Sequence, residues 1–219
     1  MKSAIRRALP LMAGLMIVLL VGCSSSPEMQ ADEEAAAREP GRDYLHADPD
    51  VDEVMVFFGY QCGPCHQFYE QQLTHWLEDR IDVDTVLVPV LFDPDVEAAA
   101  RGFHAAELLG SNPTFHRSLF VAYQSDPSRV ATAEQIMALA AECCALEADE
   151  FRAAYESDTV ERRMVQAQAL VYGHGIRRTP SVMINRDQVV TPLDVQAGEL
   201  LIDVVESVLQ GSLPPGRAI

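Results

Sequence analysis

Residues 54–77, VMVFFGYQCGPCHQFYEQQLTHWL, contain the pattern that decides the fold of this chain. The short apolar run Val54–Phe58 predicts a buried β-strand. A turn containing Gly59 follows, and Cys62-Gly63-Pro64-Cys65 then opens a helix whose apolar residues recur at steps of three and four. Pro64 suits the first helical turn, where a missing N–H and a fixed φ cost little. The segment therefore predicts two cysteines at a helix N-terminus, directly after a buried strand.

The position of the two cysteines has a chemical consequence. The unpaired N–H groups and the partial positive charge at a helix start stabilise an anion. A thiolate forms there at lower pH than in a free cysteine, whose pKa is about 8.5, and the thiolate is the species that attacks disulfides. We expect Cys62 to be the outer, attacking sulfur, and Cys65 to be the buried partner that resolves the mixed disulfide.

Two other interpretations of this cysteine pair are a static disulfide and half of a zinc site. A structural zinc site needs about four ligands, and no second Cys/His pair with such spacing follows in the chain. The strand, the turn and the helix together provide the context that a redox motif requires. The sequence therefore favours redox chemistry by the two cysteines alone, without a metal and without a cofactor.

Residues 57–68, FFGYQCGPCHQF, resemble the active-site segment of the thioredoxin superfamily. The wider frame, from about Tyr44 to Gln210, is similar to the DsbA family of periplasmic thiol:disulfide oxidoreductases. The dipeptide Gly63-Pro64 is of the thioredoxin type, whereas well-known DsbA enzymes carry Pro-His between the cysteines. The resemblance therefore implies a reduction potential between the thioredoxin and DsbA extremes of about −270 and about −120 mV.

The N-terminus has the pattern of a targeting signal. Residues 1–7 carry three basic and no acidic side chains, and the apolar run Leu9–Val21 that follows is short for a membrane span. The run ends in Leu20-Val21-Gly22-Cys23, which resembles the bacterial lipobox, whose cysteine becomes the lipidated first residue. An uncleaved anchor and a plain signal peptide are the alternatives. We expect lipidation of Cys23 and a periplasmic protein anchored to a bacterial membrane, with the outer membrane slightly preferred.

Charge and compartment narrow the class of partners. The formal net charge of the 219-residue chain is −17. Phosphate binding needs clustered Lys and Arg, so this charge argues against nucleic acid. Export places the cysteine pair where disulfides persist. The expected partners are reduced or misoxidised exported polypeptides, a membrane redox partner protein, and the membrane itself through the N-terminal lipid.

The order of elements predicts an α/β protein, a thioredoxin-like fold with an inserted all-helical domain. A second strand over Val83–Phe92 completes a right-handed parallel β-α-β unit, with Pro89 near an edge. Helical patterns then follow one another before the sheet resumes, which is similar to the DsbA architecture. The predicted divisions are a signal peptide (1–22), a disordered tether (23–42), a thioredoxin-like domain (43–93 and 174–212) and an inserted helical domain (94–173).

Local signals predict the remaining elements. Capping patterns at Thr132 and Asp158 and stops at glycines delimit the inserted helices. A short edge strand is predicted at Tyr44-Leu45-His46, a strand hairpin between Arg178 and Val190, and a last helix from Asp194 or Gly198. The predicted inserted helices are Asp95–Leu109, Pro113–Tyr123, Ala133–Cys143, Ala148–Tyr155 and Thr159–Tyr172.

Thr179-Pro180 stands directly before a predicted strand, in the second half of the sheet. The resemblance implies that Pro180 is the cis-proline of the superfamily, packed against the sulfurs of Cys62 and Cys65. Without the resemblance an ordinary trans turn would be expected, since only about 5–6% of X–Pro bonds are cis. The backbone N–H and C=O of Thr179 would then pair with a bound peptide as an added strand.

Two positions near the cysteines bear on their protonation. His66 would add positive charge near Cys62 when protonated, or be a solvated first-turn residue, and its direction on the helix favours the latter. Val56 lies six residues before Cys62, where the resemblance implies a buried acid near Cys65. Because valine cannot take a proton, water or another group must serve, with Glu53 a disfavoured candidate.

The second pair of cysteines and the turn before Cys62 also carry predictions. Cys143 continues the inner face of a predicted helix and is expected to be a small buried hydrophobe. A bond between the adjacent Cys143 and Cys144 would require severe strain, and pairing of one of them with another chain is the alternative. Tyr60 and Gln61, in the turn before the first active-site cysteine, are candidates for lining a substrate groove.

The sequence thus predicts a membrane-tethered, periplasmic thiol:disulfide oxidoreductase that forms or exchanges disulfides in exported proteins. A periplasmic thiol reductase is the first alternative. The second is a non-enzymatic lipoprotein that binds copper or a partner through Cys62, Cys65 and His66. The predicted catalytic residues are Cys62 and Cys65, and the predicted supporting and main-chain binding residues are Gly63, Pro64, His66, Thr179 and Pro180.

Overall fold

The computed structural model of the chain describes residues 44–45, 47–110 and 112–212. The predicted signal peptide, the lipidation site Cys23 and the predicted tether lie outside these ranges. Within the described ranges, a four-stranded mixed sheet is interrupted in sequence by a run of helices. No helix of this part of the chain is both long and apolar enough to cross a bilayer.

Strand β1 (Glu53–Phe58) lies inside the sheet, and all six of its residues are buried. Strand β2 (Asp84–Pro89) pairs with β1 in parallel, and β3 (Ser181–Ile184) pairs with β1 antiparallel on its other side. Strand β4 (Gln188–Val190) pairs antiparallel with β3, which gives the order β2-β1-β3-β4. The continuous apolar run predicted β1 correctly because a strand covered on both faces has no polar face. Pro89 ends β2 at the sheet edge, as predicted.

A single helical segment carries the cysteines and changes its pitch along its length. Helix α1 (Gly63–Phe68) continues through a π-helical turn (Tyr69–Leu73) into α2 (Thr74–Asp79). The predicted helix that opens at the cysteine pair is therefore confirmed. The π-helical turn was not predicted. Its end residues, Tyr69 and Leu73, are both buried and lie four positions apart, which is also the spacing of buried residues in an ordinary α-helix.

All five predicted inserted helices are present, with small shifts at their ends. A short 3₁₀ turn (Pro94–Val96) precedes the first of them and moves its start to Glu97. A second 3₁₀ turn (Pro127–Val130) precedes the third. The helices are α3 (Glu97–Leu108), α4 (Asn112–Ser125), α5 (Ala133–Cys144), α6 (Ala148–Tyr155) and α7 (Asp158–Gly173).

Two helix starts lie within one residue of the positions that local capping signals predicted. At α5 the Thr132 hydroxyl accepts the Gln135 N–H, and the Gln135 side chain accepts the Thr132 N–H, so the predicted capping box is confirmed. At α7 the cap is Ser157, whose hydroxyl accepts the N–H of Val160, rather than the predicted Asp158. Both residue types are good caps, and the sequence alone did not separate two adjacent candidates.

Two predicted elements at the ends of the fold are wrong. Tyr44 and Leu45 form a turn rather than an edge strand, and His46 lies outside the described residues. The Tyr44 side chain is buried, and its hydroxyl donates to the carbonyl of Leu87. The last helix, α8 (Leu201–Leu209), begins after both predicted starts. Asp194 instead closes a turn by accepting the N–H and the hydroxyl of Thr191.

The sheet and the inserted helices share one hydrophobic core. On one face of β1, Val54, Val56 and Phe58 pack into a buried cluster that reaches Ile136 of α5 and Val204 of α8. The described residues belong to one compact unit. A second cluster covers the opposite face of the sheet, where α7 packs. The core thus crosses the predicted boundary between the thioredoxin-like and helical parts, and this is how the helices come to flank the cysteines.

Candidate active site

The two cysteines of α1 differ in exposure and in backbone position. Cys62 is the N-cap of the helix and is half-buried, whereas Cys65 is 2% exposed. A disulfide joins them. The N–H of Cys65 donates to Sγ of Cys62 over 3.1 Å. An N–H at the positive end of a helix, already directed at this sulfur, is the arrangement that stabilises a thiolate after reduction.

The Thr179–Pro180 peptide bond is cis, as predicted, and faces the cysteines. Sγ of Cys62 lies 3.4 Å from the carbonyl oxygen of Thr179. Pro180 is buried and lines a small cavity with Cys65. Residues separated by more than a hundred positions are therefore brought together where β3 begins beside α1.

The dipeptide between the cysteines forms an open surface. A Cβ added at Gly63 would meet no atom within 4 Å, and Pro64 is exposed in the first turn of α1. Gln124 of α4 donates its side-chain N–H to the carbonyl of Cys62 over 3.5 Å. The surface around the outer sulfur is thus made by α1, by α4 and by the Thr179–Pro180 loop.

His66 packs differently from the prediction. Its ring stacks on Phe120 of α4, with centroids 5.0 Å apart and planes inclined by 8°. The side chain is half-buried rather than solvated. The prediction of a solvated first-turn residue is therefore wrong, because α4 covers one face of the imidazole, and this packing is not encoded near position 66.

Of the two groove candidates, Tyr60 belongs to the core. It is 1% exposed, and its hydroxyl lies 2.8 Å from Nδ1 of His116. The groove prediction is therefore wrong for Tyr60, because a histidine from α4 accommodates the polar end of the ring inside the protein. Gln61, next along the turn, is exposed and remains a candidate.

A family model described as a DSBA-like thioredoxin domain matches residues 53–201, which include the cysteine pair, the inserted helices and the cis-proline loop. The chain belongs to the DsbA-like family. The predictions of an α/β, thioredoxin-like fold and of a thiol:disulfide oxidoreductase are confirmed.

Individual DsbA proteins are also similar to this chain. The thiol:disulfide interchange protein DsbA of Azotobacter vinelandii is 29% identical over 153 residues, which cover 66% of this chain and 71% of that protein. The protein of the same name from Pseudomonas aeruginosa is 26% identical over 187 residues, covering 82% and 84%. The crystal structure of the oxidoreductase DsbA from Xylella fastidiosa has the same fold, with a TM-score of 0.67 and 23% identity, over 78% of this chain and 90% of that one.

This DsbA-like chain has an apolar residue at the position where an acid was expected. Val56 is 3% exposed and lines, with Cys65 and Pro180, a cavity of about 10 Å³. Glu53, the alternative carboxylate, is at the start of β1 in an ion pair with Arg186, at 2.8 Å, and does not line this cavity. Neither position 56 nor Glu53 thus provides a carboxylate at the cavity beside the buried sulfur.

Sequence reasoning missed His116, which also lines this cavity. It is 1% exposed, and burial lowers its pKa to about 3, with the positive charges of His66 and Arg117 adding to the effect. The imidazole is therefore neutral at physiological pH. The only sequence signal was its place four residues before Phe120 on the apolar face of a predicted helix.

The second pair of cysteines contradicts its prediction. Cys143 and Cys144 are bonded to each other at the C-terminal end of α5, and both pack partly buried against the main core. The prediction rested on the Cα spacing that a disulfide usually requires, whereas these two residues are bonded with their Cα atoms 3.8 Å apart. The helix includes both cysteines and ends directly after them, with Ala145 in the left-handed region at φ 51°.

In residues 44–45, 47–110 and 112–212, no group of three or more His, Cys, Asp or Glu side chains is arranged to hold a metal ion. The copper-binding alternative requires such a group at Cys62, Cys65 and His66. These described residues are not arranged as one, and the two sulfurs are bonded to each other.

Proposed function

We propose that this DsbA-like thiol:disulfide oxidoreductase forms disulfides in exported proteins through Cys62–Cys65, in the periplasm and tethered to a membrane by a lipid on Cys23. One observation carries the assignment of the site. The half-buried sulfur of Cys62 accepts a helix N-terminal N–H and lies 3.4 Å from the Thr179 carbonyl. A reactive sulfur beside a backbone carbonyl just before β3 is suited to attack by a thiol of an unfolded chain.

The oxidation takes place in two exchange steps. A substrate thiolate attacks Sγ of Cys62, the Cys62–Cys65 bond breaks, and its electron pair leaves on Cys65. A second substrate thiolate then attacks the substrate sulfur of the mixed disulfide, and Cys62 leaves as a thiolate. Two electrons pass from the substrate to the cysteine pair, and Cys65 takes up one of the protons that the substrate thiols release.

In these two exchange steps Cys65 does not resolve the mixed disulfide, although the sequence predicted that role for it. In the oxidising direction the second substrate thiolate performs that step. Attack by Cys65 on the mixed disulfide instead expels the substrate as a thiol, which is the productive step of a reductase. Cys65 is therefore a leaving group when this protein oxidises its substrate.

Main-chain recognition would supply the breadth of substrate that an oxidase of exported proteins needs. The carbonyl of Thr179 lies beside Cys62, and β3 begins two residues later. A substrate segment in extended conformation would pair with this backbone and bring its cysteine to Cys62, whatever its other side chains. Gly63 and Pro64 would leave room for it, and a membrane redox protein would reoxidise the pair.

The assignment is tested with a reduced two-cysteine peptide as substrate. We expect the oxidised protein to oxidise the peptide and the Cys62→Ser variant to be inactive. Cys65→Ser, incubated with oxidised glutathione, should retain a mixed disulfide at Cys62 detectable by mass spectrometry, because no second cysteine is present to expel the glutathione. A Cys143→Ser/Cys144→Ser variant is the matched control and should keep the full rate. Oxidation by Cys62→Ser at the wild-type rate would refute the assignment.

The direction of the reaction is tested separately, because the Gly63-Pro64 dipeptide of the thioredoxin type favours a reductase as second candidate. Equilibration of the pair with glutathione gives its reduction potential. We expect a value between about −270 and about −120 mV. A value at or below the lower limit would indicate a reductase, and copper bound stoichiometrically to the isolated protein would indicate a binding module.

Lipid attachment is tested in cells. We expect the mature protein to start at Cys23 and to partition into detergent, whereas a Cys23→Ala variant should be released into the soluble fraction. A Ser24→Ala variant is the control and should remain attached. Unchanged membrane association of Cys23→Ala would contradict the lipid anchor without affecting the redox assignment.

A further inference from the structure

His116 brings a polar group to the cavity below the active-site disulfide. Nδ1 of His116 is paired with the hydroxyl of Tyr60, and Nε2 has no hydrogen-bond partner among the described residues. The cavity is lined by both His116 and Cys65 but not by Tyr60. The contact with Tyr60 occupies Nδ1, so Nε2 is the ring nitrogen that remains available to a group in this cavity.

The contact with Tyr60 decides which nitrogen carries the proton. Burial raises the pKa of Tyr60 well above its ordinary value, so its hydroxyl stays protonated and has one proton to donate. Donation to Nδ1 leaves Nε2 as an N–H donor. The opposite tautomer would leave both the Tyr60 proton and Nε2 without a partner inside the core, which is the more costly arrangement.

We propose that His116 stabilises the thiolate of Cys65 by donating the Nε2–H hydrogen bond to its sulfur across this cavity. The proposal rests on the exchange chemistry assigned to Cys62–Cys65 and adds a residue from the inserted helices to it. Nε2 has no partner among the described residues while the Cys62–Cys65 bond is closed, so the hydrogen bond forms when that bond opens. It is then direct or passes through one water molecule, for which the cavity of about 10 Å³ is at the lower limit of volume.

The chemical step requires such a donor. When a substrate thiolate attacks Cys62, the electron pair of the broken S–S bond is left on Cys65, which is buried. A buried anion without a partner is costly, and a better stabilised thiolate leaves faster. Val56 offers no polar atom at this place. A neutral N–H donor lowers the cost of the anion without transferring a proton, which Cys65 takes up later.

The test measures the rate at which reduced glutathione attacks the oxidised protein. We expect His116→Phe, which keeps an aromatic ring but removes the donor, to react about three- to tenfold more slowly, from the usual strength of a hydrogen bond to a charged group and the dependence of exchange on the leaving thiol. His116→Gln, whose amide nitrogen reaches the Nε2 position, should restore the rate to within about twofold.

The chain offers a matched control in His104. It is also completely buried, its Nδ1 contacts Glu107 at 3.2 Å, and its Nε2 has no partner among the described residues, but it does not line this cavity. We expect His104→Phe to leave the rate unchanged. The double variant Tyr60→Phe/His116→Phe avoids an unpaired Tyr60 hydroxyl and should show the same slowing as His116→Phe if the single variant folds poorly.

A second measurement separates stabilisation of Cys65 from a structural effect on α1. In a Cys65→Ser background, the mixed disulfide of Cys62 with glutathione is cleaved by dithiothreitol, and Cys65 is not the leaving group. We expect His116→Phe to have no effect there. Equal slowing in both reactions, or no slowing in the first, would overturn the proposal for His116. An inert wild-type protein would overturn the site assignment itself.

Discussion

At the scale of single residues, the surroundings of Cys65 differ from those implied by family resemblance. Val56 is apolar and 3% exposed, so β1 contributes no proton acceptor or donor at the cavity. His116 of α4 lines the same cavity, and its Nε2 has no hydrogen-bond partner among the described residues. The polar group thus comes from the inserted helices rather than from the sheet. A substitution at position 116 therefore bears on an active site that is remote in sequence.

Buried histidines predict that acid destabilises the fold. Burial lowers the pKa of His116 to about 3 and lowers that of His104, whereas an unfolded histidine titrates near 6.5. Between these values the unfolded chain binds more protons, so stability is complete above about pH 6.5 and falls as pH decreases toward 3. His116 alone would account for up to about 5 kcal/mol of this loss.

The measurement is the free energy of unfolding in urea between pH 7 and pH 4. We expect the wild-type value to fall with decreasing pH, and the His116→Phe variant to fall less steeply because it lacks one of the two buried histidines. A Val165→Ala variant, exposed on α7, is the control and should keep the wild-type slope. Parallel curves for wild type and His116→Phe would contradict the prediction.

The bond between Cys143 and Cys144 gives a second prediction at this scale. When the oxidised protein is denatured and alkylated without reductant, we expect no label on the four cysteines at 62, 65, 143 and 144, since the structure pairs all of them. Intact mass should increase by four labels only after reduction. The Cys143→Ser variant should take up one label, at Cys144. Labelling of both residues in the unreduced wild type would show that they are free.

At the scale of elements, α3 and α5 approach each other closely at Gly102. A Cβ added there would lie 2.5 Å from Cγ2 of Ile136 and 3.4 Å from Phe115. The first distance is too short for a stable contact, so the helices would have to move apart. Glycine is normally unfavourable inside a helix, and its presence in α3 is explained by this packing.

We expect Gly102→Ala to lower the free energy of unfolding by about 1–2 kcal/mol. The 2.5 Å contact puts the overpacking cost near the upper end of its usual range of about 1–3 kcal/mol, and the gain in helix propensity offsets about 1 kcal/mol of it. Gly173→Ala, at the end of α7, is the control, since a Cβ there meets no atom within 4 Å. Urea denaturation gives both values. A Gly102→Ala variant as stable as the wild type would show that α3 and α5 are not in this close contact.

Helix ends show where local signals succeed. The capping box of Thr132 and Gln135 fixed the start of α5, because both partners lie within four residues. The start of α8 was predicted wrongly, because the carboxylate of Asp194 closes a turn onto Thr191 instead of capping a helix. An aspartate suits both roles, and only the path of the chain after β4 selects between them.

At the scale of the whole molecule, a continuous core joins the sheet to the inserted helices. Trp76, the one tryptophan of the chain, lies on α2, partly buried, and donates to Glu206 of α8 over 2.8 Å. Its fluorescence therefore reports on the sheet side of the molecule. Circular dichroism reports mainly on the helices, most of whose residues belong to the insertion.

We expect the two signals to give one coincident transition in urea, because a shared core couples the two parts. A Phe115→Ala variant tests this coupling. Phe115 is completely buried in α4, so its removal should shift the Trp76 transition as much as the helical one, by about 3–5 kcal/mol. Separate transitions in the wild type, or a shift of the helical signal alone, would show that the parts unfold independently.

The sequence by itself determined β1, the cysteine-bearing helix, the five inserted helices and the sheet hairpin. Hydrophobic period, capping and turn chemistry act between residues a few positions apart, so their effects can be read from contiguous sequence. The cis bond before Pro180 was predicted only through family resemblance, since nothing local distinguishes it from a trans turn.

The tertiary structure alone decided the side chains around the two sulfurs. The burial of Tyr60, the stacking of His66 on Phe120 and the place of His116 at the cavity that Cys65 also lines all arise where α4 packs against α1 and β1. Each of these contacts joins positions about fifty residues apart. Local patterns specify which face of a helix is buried, but not which distant face it meets, and that meeting decides which polar groups the buried cysteine encounters.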